Sequence, residues 1–164
     1  MIAFYFDTSA LIKRYRKEAG SEVLDKVFKL EEHGFTTCFW TILEFIVAFS
    51  ARRRKGELSG EAFNMLVSRL LKDVLDRFIV IGIDDELVTS AVSLAVKYAL
   101  PSADCLQLAS VLSLKNTLEH EKGRVILLCS DKDLCKAAEE EGIEVIDPEK
   151  ENSLEKLDKI VLKS

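Results

Sequence analysis

The sequence contains little of what builds linkers, membrane spans or secretion signals. Its 164 residues include only seven glycines and two prolines, which leaves no room for a flexible linker. The N-terminus has no basic segment, and its first apolar stretch stops at Asp7, far short of the roughly 20 residues that a membrane span needs. With 48% hydrophobic and 31% charged residues, we expect one soluble, cytoplasmic globular domain that builds its own core and makes no membrane contact.

Residues that bind zinc or act as catalytic bases are also scarce. The cysteines form no C-x-x-C pair; they are Cys38, Cys105, Cys129 and Cys135. We therefore expect reduced, largely buried thiols rather than a zinc site. The two histidines, His33 and His120, lie in polar segments typical of helix ends, and they are poor candidates for a catalytic base.

Positive charge is concentrated in two segments of a chain whose net charge is −5. The first comprises Lys13, Arg14, Arg16 and Lys17, and the second is the run Arg-Arg-Arg-Lys at 52–55. An acidic molecule does not attract nucleic acid as a whole. The two segments are either solvated faces and helix C-terminal cations or, because acidic residues precede both of them closely, phosphate-binding sites.

Apolar runs alternate with segments of helical periodicity along the chain. Strands are predicted at 2–6, 35–39, 78–83, 124–128 and 143–146, and helices from about residue 9 and at 21–32, 41–53, 57–76, 84–99, 102–119 and 131–141. The alternation predicts an α/β fold, a three-layer α/β/α sandwich with a central parallel sheet. The domain should span 1–148. The tail 149–164 should pack on it or extend from it.

Four acids lie where apolar runs meet the helices that follow them: Asp7, Glu44, Asp104 and Asp131. In open α/β sheets, ligands bind just beyond the carboxyl ends of the strands. Asp7, Glu44 and Asp131 each follow a predicted strand, so a parallel sheet would bring them to one edge. Oxygen ligands without histidine or cysteine favour Mg²⁺ or Mn²⁺ over zinc. The pattern predicts a divalent-cation site if the acids converge.

Helical spacing places two of these acids at the head of a mostly apolar stripe. Counting three, four and seven residues onward gives Val47, Ala48 and Ala51 after Glu44, and Gln107, Leu108 and Val111 after Asp104. An unpaired carboxylate on a buried face is costly. We therefore expect a partner for both acids, and one metal ion could serve several acids at once.

Helix capping offers a structural alternative for most of the acids. Thr41 and Glu44 match a capping box, in which the glutamate returns a hydrogen bond to the threonine backbone. Asp104 and Asp131 lie in predicted first helical turns, where the helix dipole favours acids.

Asp133 has the same alternative, with Ser130 as the N-cap. Asp7 is harder to explain in this way, because it ends a strand that is apolar at five consecutive positions. Thr8 and Ser9 offer hydroxyls beside it. Acids in such places cluster at functional sites.

Taken in order, these segments resemble the PIN domain, specifically its VapC branch of toxin ribonucleases. The segments are FYFDTSALIK, Glu44 in the helix after the second strand, Asp104 within an apolar helix, and SDKDLCKAA followed by GIEVI. The likeness runs from about residue 2 to 148. It implies a metal-dependent endoribonuclease that cleaves RNA with Mg²⁺ or Mn²⁺, is usually a homodimer, and is often inhibited by an antitoxin protein encoded beside it.

The resemblance also implies roles for individual residues. Asp7, Asp104 and Asp131 match the metal ligands, and Glu44 matches the acid that completes the catalytic site directly or through water. Two further groups match supporting positions, the small hydroxyl of Thr8 or Ser9 and the second, less constant acid Asp133.

The chain departs from the family pattern in two places. Many toxin members carry an arginine shortly before the third acid, where this chain has Pro101, Ser102 and Ala103. The threonine common two residues before the fourth acid is Cys129 here. These departures leave the acids intact and bear on substrate positioning and catalytic rate.

Two other functions are open to the sequence. A catalytically degenerate PIN module would bind RNA or a protein partner without cleavage, which fits the missing arginine and the acidic net charge. A phosphatase of the haloacid dehalogenase type would need Asp-x-Asp after the first strand, where the chain has Asp7, Thr8 and Ser9.

Overall fold

The computed structural model describes residues 2–120 and 122–162, and within them it contains five strands and eight helices. The strands are β1 (Ile2–Phe6), β2 (Gly34–Cys38), β3 (Phe78–Ile81), β4 (Arg124–Leu128) and β5 (Glu144–Ile146). The helices are α1 (Thr8–Tyr15), α2 (Ser21–Val27), α3 (Phe39–Arg54), α4 (Gly60–Arg77), α5 (Asp85–Tyr98), α6 (Ser102–Glu119), α7 (Lys132–Glu140) and α8 (Ser153–Val161). Across the described residues, none of the helices is both long enough and apolar enough to cross a membrane.

All strand pairings in the sheet are parallel, and the strand order is β3-β2-β1-β4-β5. β1 lies at the centre and is buried at all five positions, because both of its faces are covered by helices. This is why its sequence reads as one apolar run rather than as an alternating strand. The predicted three-layer α/β/α sandwich is confirmed.

The two faces of the sheet carry separate hydrophobic cores. Phe4 and Phe6 of β1 face the core formed with α1 to α4 and α8. Tyr5, between them, faces the core formed with α5, α6 and α7. The alternation follows from the opposite orientation of successive side chains in a strand. It also places one polar group, the Tyr5 hydroxyl, inside the second core.

Several predicted boundaries are wrong by a few residues. α2 ends at Val27 rather than at residue 32, because the buried Phe28 is its C-cap and Leu30 is the one apolar side chain between Phe28 and residue 32. α4 begins at Gly60 rather than at 57, because the Ser59 hydroxyl accepts a hydrogen bond from the Ala62 backbone N–H at 3.1 Å and caps the helix. β3 ends at Ile81 rather than at 83, where its pairing with β2 stops.

The C-terminal segment packs on the same core as the N-terminal helices. Leu157 and Ile160 of α8 are buried in the first core. Lys13 of α1 is buried and forms ion pairs with Glu149 at 2.6 Å and with Glu18 at 3.1 Å. The segment after residue 148 therefore contributes both apolar burial and an ion pair to the fold.

Truncating Leu157 to alanine should lower the free energy of unfolding by about 2–4 kcal/mol, because it removes a fully buried side chain and leaves a cavity. Urea denaturation followed by circular dichroism measures the change. Leu162→Ala is the matched control, since Leu162 is 86% exposed and its loss should change stability by less than about 0.5 kcal/mol. Equal effects of the two variants would show that α8 does not belong to the folded core.

Candidate functional site

Asp7 lies where the chain leaves β1 and enters α1, and the residue is only 5% exposed. Its Oδ2 atom accepts hydrogen bonds from the Ser9 backbone N–H at 3.0 Å and from the Ser9 hydroxyl at 2.6 Å. Burial raises the pKa of Asp7, these hydrogen bonds lower it, and the charge of Glu44 raises it, with a net upward shift. Asp7 is a buried acid whose own helix offsets the cost of its charge only in part.

Asp131 follows β4 and is the N-cap of α7. Its Oδ1 atom accepts hydrogen bonds from the backbone N–H groups of Asp133 at 2.9 Å and Leu134 at 3.0 Å. The prediction of Ser130 as the N-cap is therefore wrong. The Ser130 hydroxyl is buried without a hydrogen-bond partner among the described residues, because the carboxylate one residue later already binds the free amides of the first turn.

The sheet register brings Asp7 and Asp131 to one edge. β1 and β4 are neighbours, and Phe6 pairs with Leu128, so the chain leaves both strands at the same level. The Ser9 hydroxyl also accepts a hydrogen bond from the Ser130 backbone N–H at 2.9 Å. Ser9 therefore connects the loop that carries Asp7 to the loop that carries Asp131.

Glu44 lies in the second turn of α3 and is oriented from outside its own helix. Its Oε2 atom accepts a hydrogen bond from the Thr8 hydroxyl at 2.5 Å. The predicted capping box is wrong, because α3 begins at Phe39 with Cys38 as its N-cap, so Thr41 is inside the helix. The Thr41 hydroxyl lies instead within hydrogen-bond distance of the Gln107 side chain.

The sequence predicts a buried apolar stripe after Asp104 on α6 and another after Glu44 on α3, and only the first is buried in the structure. On α6, Gln107, Leu108 and Val111 are all buried, as predicted. On α3, Val47 is 57% exposed, because the buried face of the helix runs through Thr41, Phe45 and Phe49. The prediction that Glu44 heads a buried face is therefore wrong, and the carboxylate lies at the boundary of the core.

Asp104 lies in the first turn of α6, and its pKa reports the charge around it. The pKa is raised to about 6, first by burial and then by the negative charges of Asp131, Asp7, Glu44 and Asp133. The charges of four other acids, the three other predicted ones and Asp133, therefore act on Asp104. Such repulsion is the signal of carboxylates gathered around a cation or a shared proton.

The donor set fits a hard divalent cation. The contributing atoms are carboxylate oxygens, which suit Mg²⁺ and Mn²⁺, and a cation would offset the mutual repulsion that raises the pKa of Asp104. Across 2–120 and 122–162, however, no three Asp, Glu, His or Cys side chains are close enough to hold a metal ion as they stand. Binding would require the carboxylates to move toward one another.

Cys129 is the first residue after β4 and lies beside Asp7. Its sulfur is 3.6 Å from Asp7 Oδ2 and accepts a hydrogen bond from the Asp131 backbone N–H at 3.3 Å. A hydrogen bond with Cys135 and then burial raise the pKa of the Cys129 thiol far above its usual value. Cys129 is thus a neutral thiol, and all four cysteines are buried and free.

The basic segments have structural partners. Lys13 is buried between Glu18 and Glu149, and Arg14 pairs with Asp25 while its guanidinium lies over the Phe28 ring. In the second segment, Arg52 lies over the Phe49 ring and Arg53 over the Phe63 ring. These contacts give four of the eight basic side chains a partner within the protein.

The histidines lie away from the acids. His33 precedes β2 and packs against the Phe4 ring at a centroid distance of 5.9 Å, and His120 ends α6 before β4 begins. Both are therefore at the amino edge of the parallel sheet, opposite the acidic cluster.

The fold and the site together define a class of protein, the α/β/α sandwich with carboxylates gathered at the carboxyl edge of a parallel sheet. The chain belongs to the PIN domain family, because the family model for the PIN domain matches residues 4–140. No curated protein matches the chain in sequence.

Solved structures share the fold at low sequence identity. FitAcB from Neisseria gonorrhoeae has a TM-score of 0.58 and 18% identity, over 88% of this chain and 97% of that chain. VapBC-1 from nontypeable Haemophilus influenzae has a TM-score of 0.58 and 15% identity, over 92% and 100%. PAE2754 from Pyrobaculum aerophilum has a TM-score of 0.56 and 21% identity, over 88% and 92%. At these identities the likeness shows the fold alone.

Replacing Asp104 by asparagine should stabilise the metal-free protein at neutral pH. The pKa of Asp104 is about 6 in the folded protein, whereas an aspartate in the unfolded chain has a pKa of about 4. Its charge therefore destabilises the folded state increasingly as the pH rises from about 4 to 6, fully above pH 6, and not below about pH 4. Asp104→Asn should raise the free energy of unfolding by about 1 kcal/mol at pH 7.5, after allowance for solvent screening, and leave it unchanged at pH 4.

Urea denaturation in the presence of a chelator, at both pH values, measures this difference. Asp76→Asn is the control, because it makes the same chemical change on the exposed side of α4. A gain in stability that is equal at pH 4 and pH 7.5 would show that repulsion around Asp104 is not its cause.

Proposed function

We propose that this chain is a divalent-metal-dependent endoribonuclease and the toxin of a toxin–antitoxin pair. The observation that carries the proposal is the gathering of carboxylates around Asp104, which together with burial raises its pKa to about 6. PIN domains are generally nucleases and typically use divalent metals. The position of the cluster at the carboxyl edge of the sheet, where α/β proteins bind ligands, also supports it.

The chemistry assigns a role to each acid. Asp7, Asp104 and Asp131 would hold Mg²⁺ or Mn²⁺, with Glu44 completing the set directly or through a water molecule. A cation bound there would lower the pKa of a water molecule and offset the negative charge of the phosphate. Glu44, which Thr8 orients through Oε2, would use its other oxygen to orient the attacking water. Attack by water at phosphorus leaves a 5′-phosphate and a 3′-hydroxyl.

Single-stranded or loop RNA suits this site better than a duplex, because the scissile phosphate must reach a buried Asp7. A cleft of about 290 Å³ beside the cluster includes Pro101, Asp133 and Lys136. Lys132 and Lys136 are exposed on α7, and neither forms an ion pair within the described residues. They would supply positive charge beside Asp131 in the absence of an arginine before Asp104.

An antitoxin is the proposed protein partner. The similar structures include a toxin–antitoxin complex from Klebsiella pneumoniae, with a TM-score of 0.51 and 18% identity over 88% of this chain and 96% of that chain. We infer that this chain likewise pairs with an inhibitory protein. A small reading frame beside its gene, whose product copurifies with the chain, would support this inference.

We also propose that the chain forms a homodimer through exposed apolar helix faces. Residues four positions apart lie on one side of a helix, and two such rows are exposed, Phe39, Leu43 and Val47 on α3 and Val88, Val92 and Val96 on α5. Contiguous exposed apolar surface on a soluble protein marks an interaction site. A second copy of the chain is the partner that the resemblance implies.

Asp7→Asn should abolish RNA cleavage, with a loss on the order of 100-fold or more, because it removes a charged oxygen from the proposed metal site. The fold should persist, since an asparagine oxygen can still accept the Ser9 hydrogen bonds that cap α1. Cleavage of a mixed RNA pool with and without Mn²⁺ is the measurement. Asp158→Asn is the control, because Asp158 pairs with Lys26 on the surface away from the cluster.

Two results would contradict this mechanism. Cleavage by Asp7→Asn at the wild-type rate would remove Asp7 from the reaction. A wild-type chain that shows no Mn²⁺-stimulated cleavage but binds RNA or a protein would be the degenerate module. A phosphatase of the haloacid dehalogenase type has no second acid available, since Ser9 occupies that position and its hydroxyl binds Asp7.

Introducing charge into the exposed rows should separate the proposed dimer. Val92→Glu combined with Val96→Glu would bury two unpaired charges from each chain in the interface, which costs several kcal/mol. The variant should therefore be a monomer in light scattering at roughly tens of micromolar protein. Leu162→Glu is the control on α8, on the other side of the sheet. A monomeric wild type, or a variant that remains dimeric, would contradict the interface.

A further inference from the structure

Gln107 is a polar side chain inside the second hydrophobic core. The residue is 1% exposed and lies on α6, three positions after Asp104, with the fully buried Leu108 and Val111 on the same face. Burying an amide without hydrogen bonds costs roughly 1–3 kcal/mol on the scale of protein mutations. A glutamine that served only to fill space here would be replaced without loss by leucine or methionine, so its hydrogen bonds indicate what it does.

The amide has partners on four other segments of the fold. The Tyr5 hydroxyl of β1 donates to Gln107 Oε1 at 2.8 Å. The Gln107 Nε2 group lies 2.7 Å from the Thr41 hydroxyl of α3 and 3.4 Å from the Thr8 hydroxyl of α1. The Cys38 thiol, at the end of β2, is 3.6 Å from Oε1. One side chain therefore contacts both α1 and α3, the two helices that the Thr8–Glu44 hydrogen bond joins.

The direction of these hydrogen bonds is fixed at both ends. The Thr8 hydroxyl donates its single proton to Glu44 Oε2. The Thr8 oxygen can then only accept, which orients the Gln107 NH₂ group toward Thr8 and its carbonyl toward Tyr5. At the other end, the Tyr5 phenol donates to this carbonyl at 2.8 Å. The chain of hydrogen bonds therefore runs from Tyr5 through Gln107 and Thr8 to Glu44, which accepts the last one.

We infer that Gln107 is a positioning residue for Glu44. Its buried amide, held by Tyr5 and Thr41, keeps Thr8 in the orientation in which the Thr8 hydroxyl binds Glu44 at 2.5 Å. Glu44 is half-buried at the edge of the core, and the Thr8 hydroxyl is the hydrogen-bond donor to its carboxylate. The consequence for metal binding and cleavage rests on the function proposed above, whereas the placement of Glu44 does not.

The test compares Gln107→Met with Ser21→Ala. Methionine keeps the length of the side chain and removes both hydrogen-bonding atoms. Ser21→Ala removes a buried hydroxyl that donates to the Lys13 carbonyl at 2.8 Å, so it should also lower stability, without contact to Glu44 or to the other acids. Gln107→Met should weaken Mn²⁺ binding in calorimetry and slow RNA cleavage, each by about 10-fold, the lower end of what loss of an orienting partner causes. Ser21→Ala should leave both unchanged.

A double-mutant cycle with Glu44→Ala separates positioning from general loosening of the core. If Gln107 acts through Glu44, Gln107→Met should cause no further loss of Mn²⁺ affinity once Glu44 is alanine. An equal loss in both backgrounds, or a loss of stability alone, would overturn the inference.

A crystal structure of metal-free Gln107→Met tests the placement without any activity. We expect Thr8 to turn and Glu44 to leave the position in which it meets Thr8. An unchanged Thr8–Glu44 hydrogen bond would overturn the inference whether or not the protein cleaves RNA. A wild-type chain that neither binds Mn²⁺ nor cleaves RNA would instead overturn the proposed function, and the structure of the variant would still decide the role of Gln107.

Discussion

The parallel register of β1 and β4 is the constraint on which the site depends. Phe6 pairs with Leu128, and the Asp7 backbone N–H donates to the Leu128 carbonyl at 3.1 Å, so the sheet hydrogen bonds extend to the acid itself. A shift of one residue would turn every side chain of β1 to the other face. Five consecutive buried residues make such a shift costly. The position of Asp7 is therefore set by the burial of the strand that precedes it.

Carboxylates gathered in this way oppose folding, and the surrounding structure offsets part of the cost. Asp7 and Asp131 each accept backbone N–H groups at the start of a helix, where the helix dipole favours negative charge. Asp104 has no such hydrogen bond from its own helix, whose N-cap is Pro101, and its pKa is raised to about 6. Burial also raises the pKa of Asp7, so the charges of both acids are only partly compensated. This is the expected result where a site is kept for binding at a cost in stability.

Local sequence patterns predict those features of the fold and the site that are determined by residues close together in the chain. The strands, the parallel sheet and the edge positions of Asp7 and Asp131 follow from apolar runs and the junctions after them. Glu44 was assigned a capping box because Thr41 lies three residues before it, but the start of α3 at Phe39 is set by where β2 stops pairing with β3. That information is not local.

The partners of buried polar groups are likewise distant in sequence. Gln107 meets Tyr5 across 102 residues and Thr41 across 66, and Lys13 meets Glu149 across 136. The only sequence signal for Gln107 is a polar residue in an otherwise apolar helical stripe, which shows that partners must exist without showing which they are. The basic segment at Lys13 gave a stronger signal, and its explanation is an ion pair that holds the C-terminal segment.

The three residues Asp7, Thr8 and Ser9 combine these local and distant requirements. Successive residues at the start of a helix point about 100° apart, so the two hydroxyls reach opposite sides of the acidic cluster. Ser9 binds Asp7 and the backbone before Asp131, whereas Thr8 binds Glu44 and lies next to Gln107. Either hydroxyl alone would orient the acids on one side only. The pair therefore connects Asp7 to both of its neighbours at the sheet edge, to the loop of Asp131 through Ser9 and to Glu44 of α3 through Thr8.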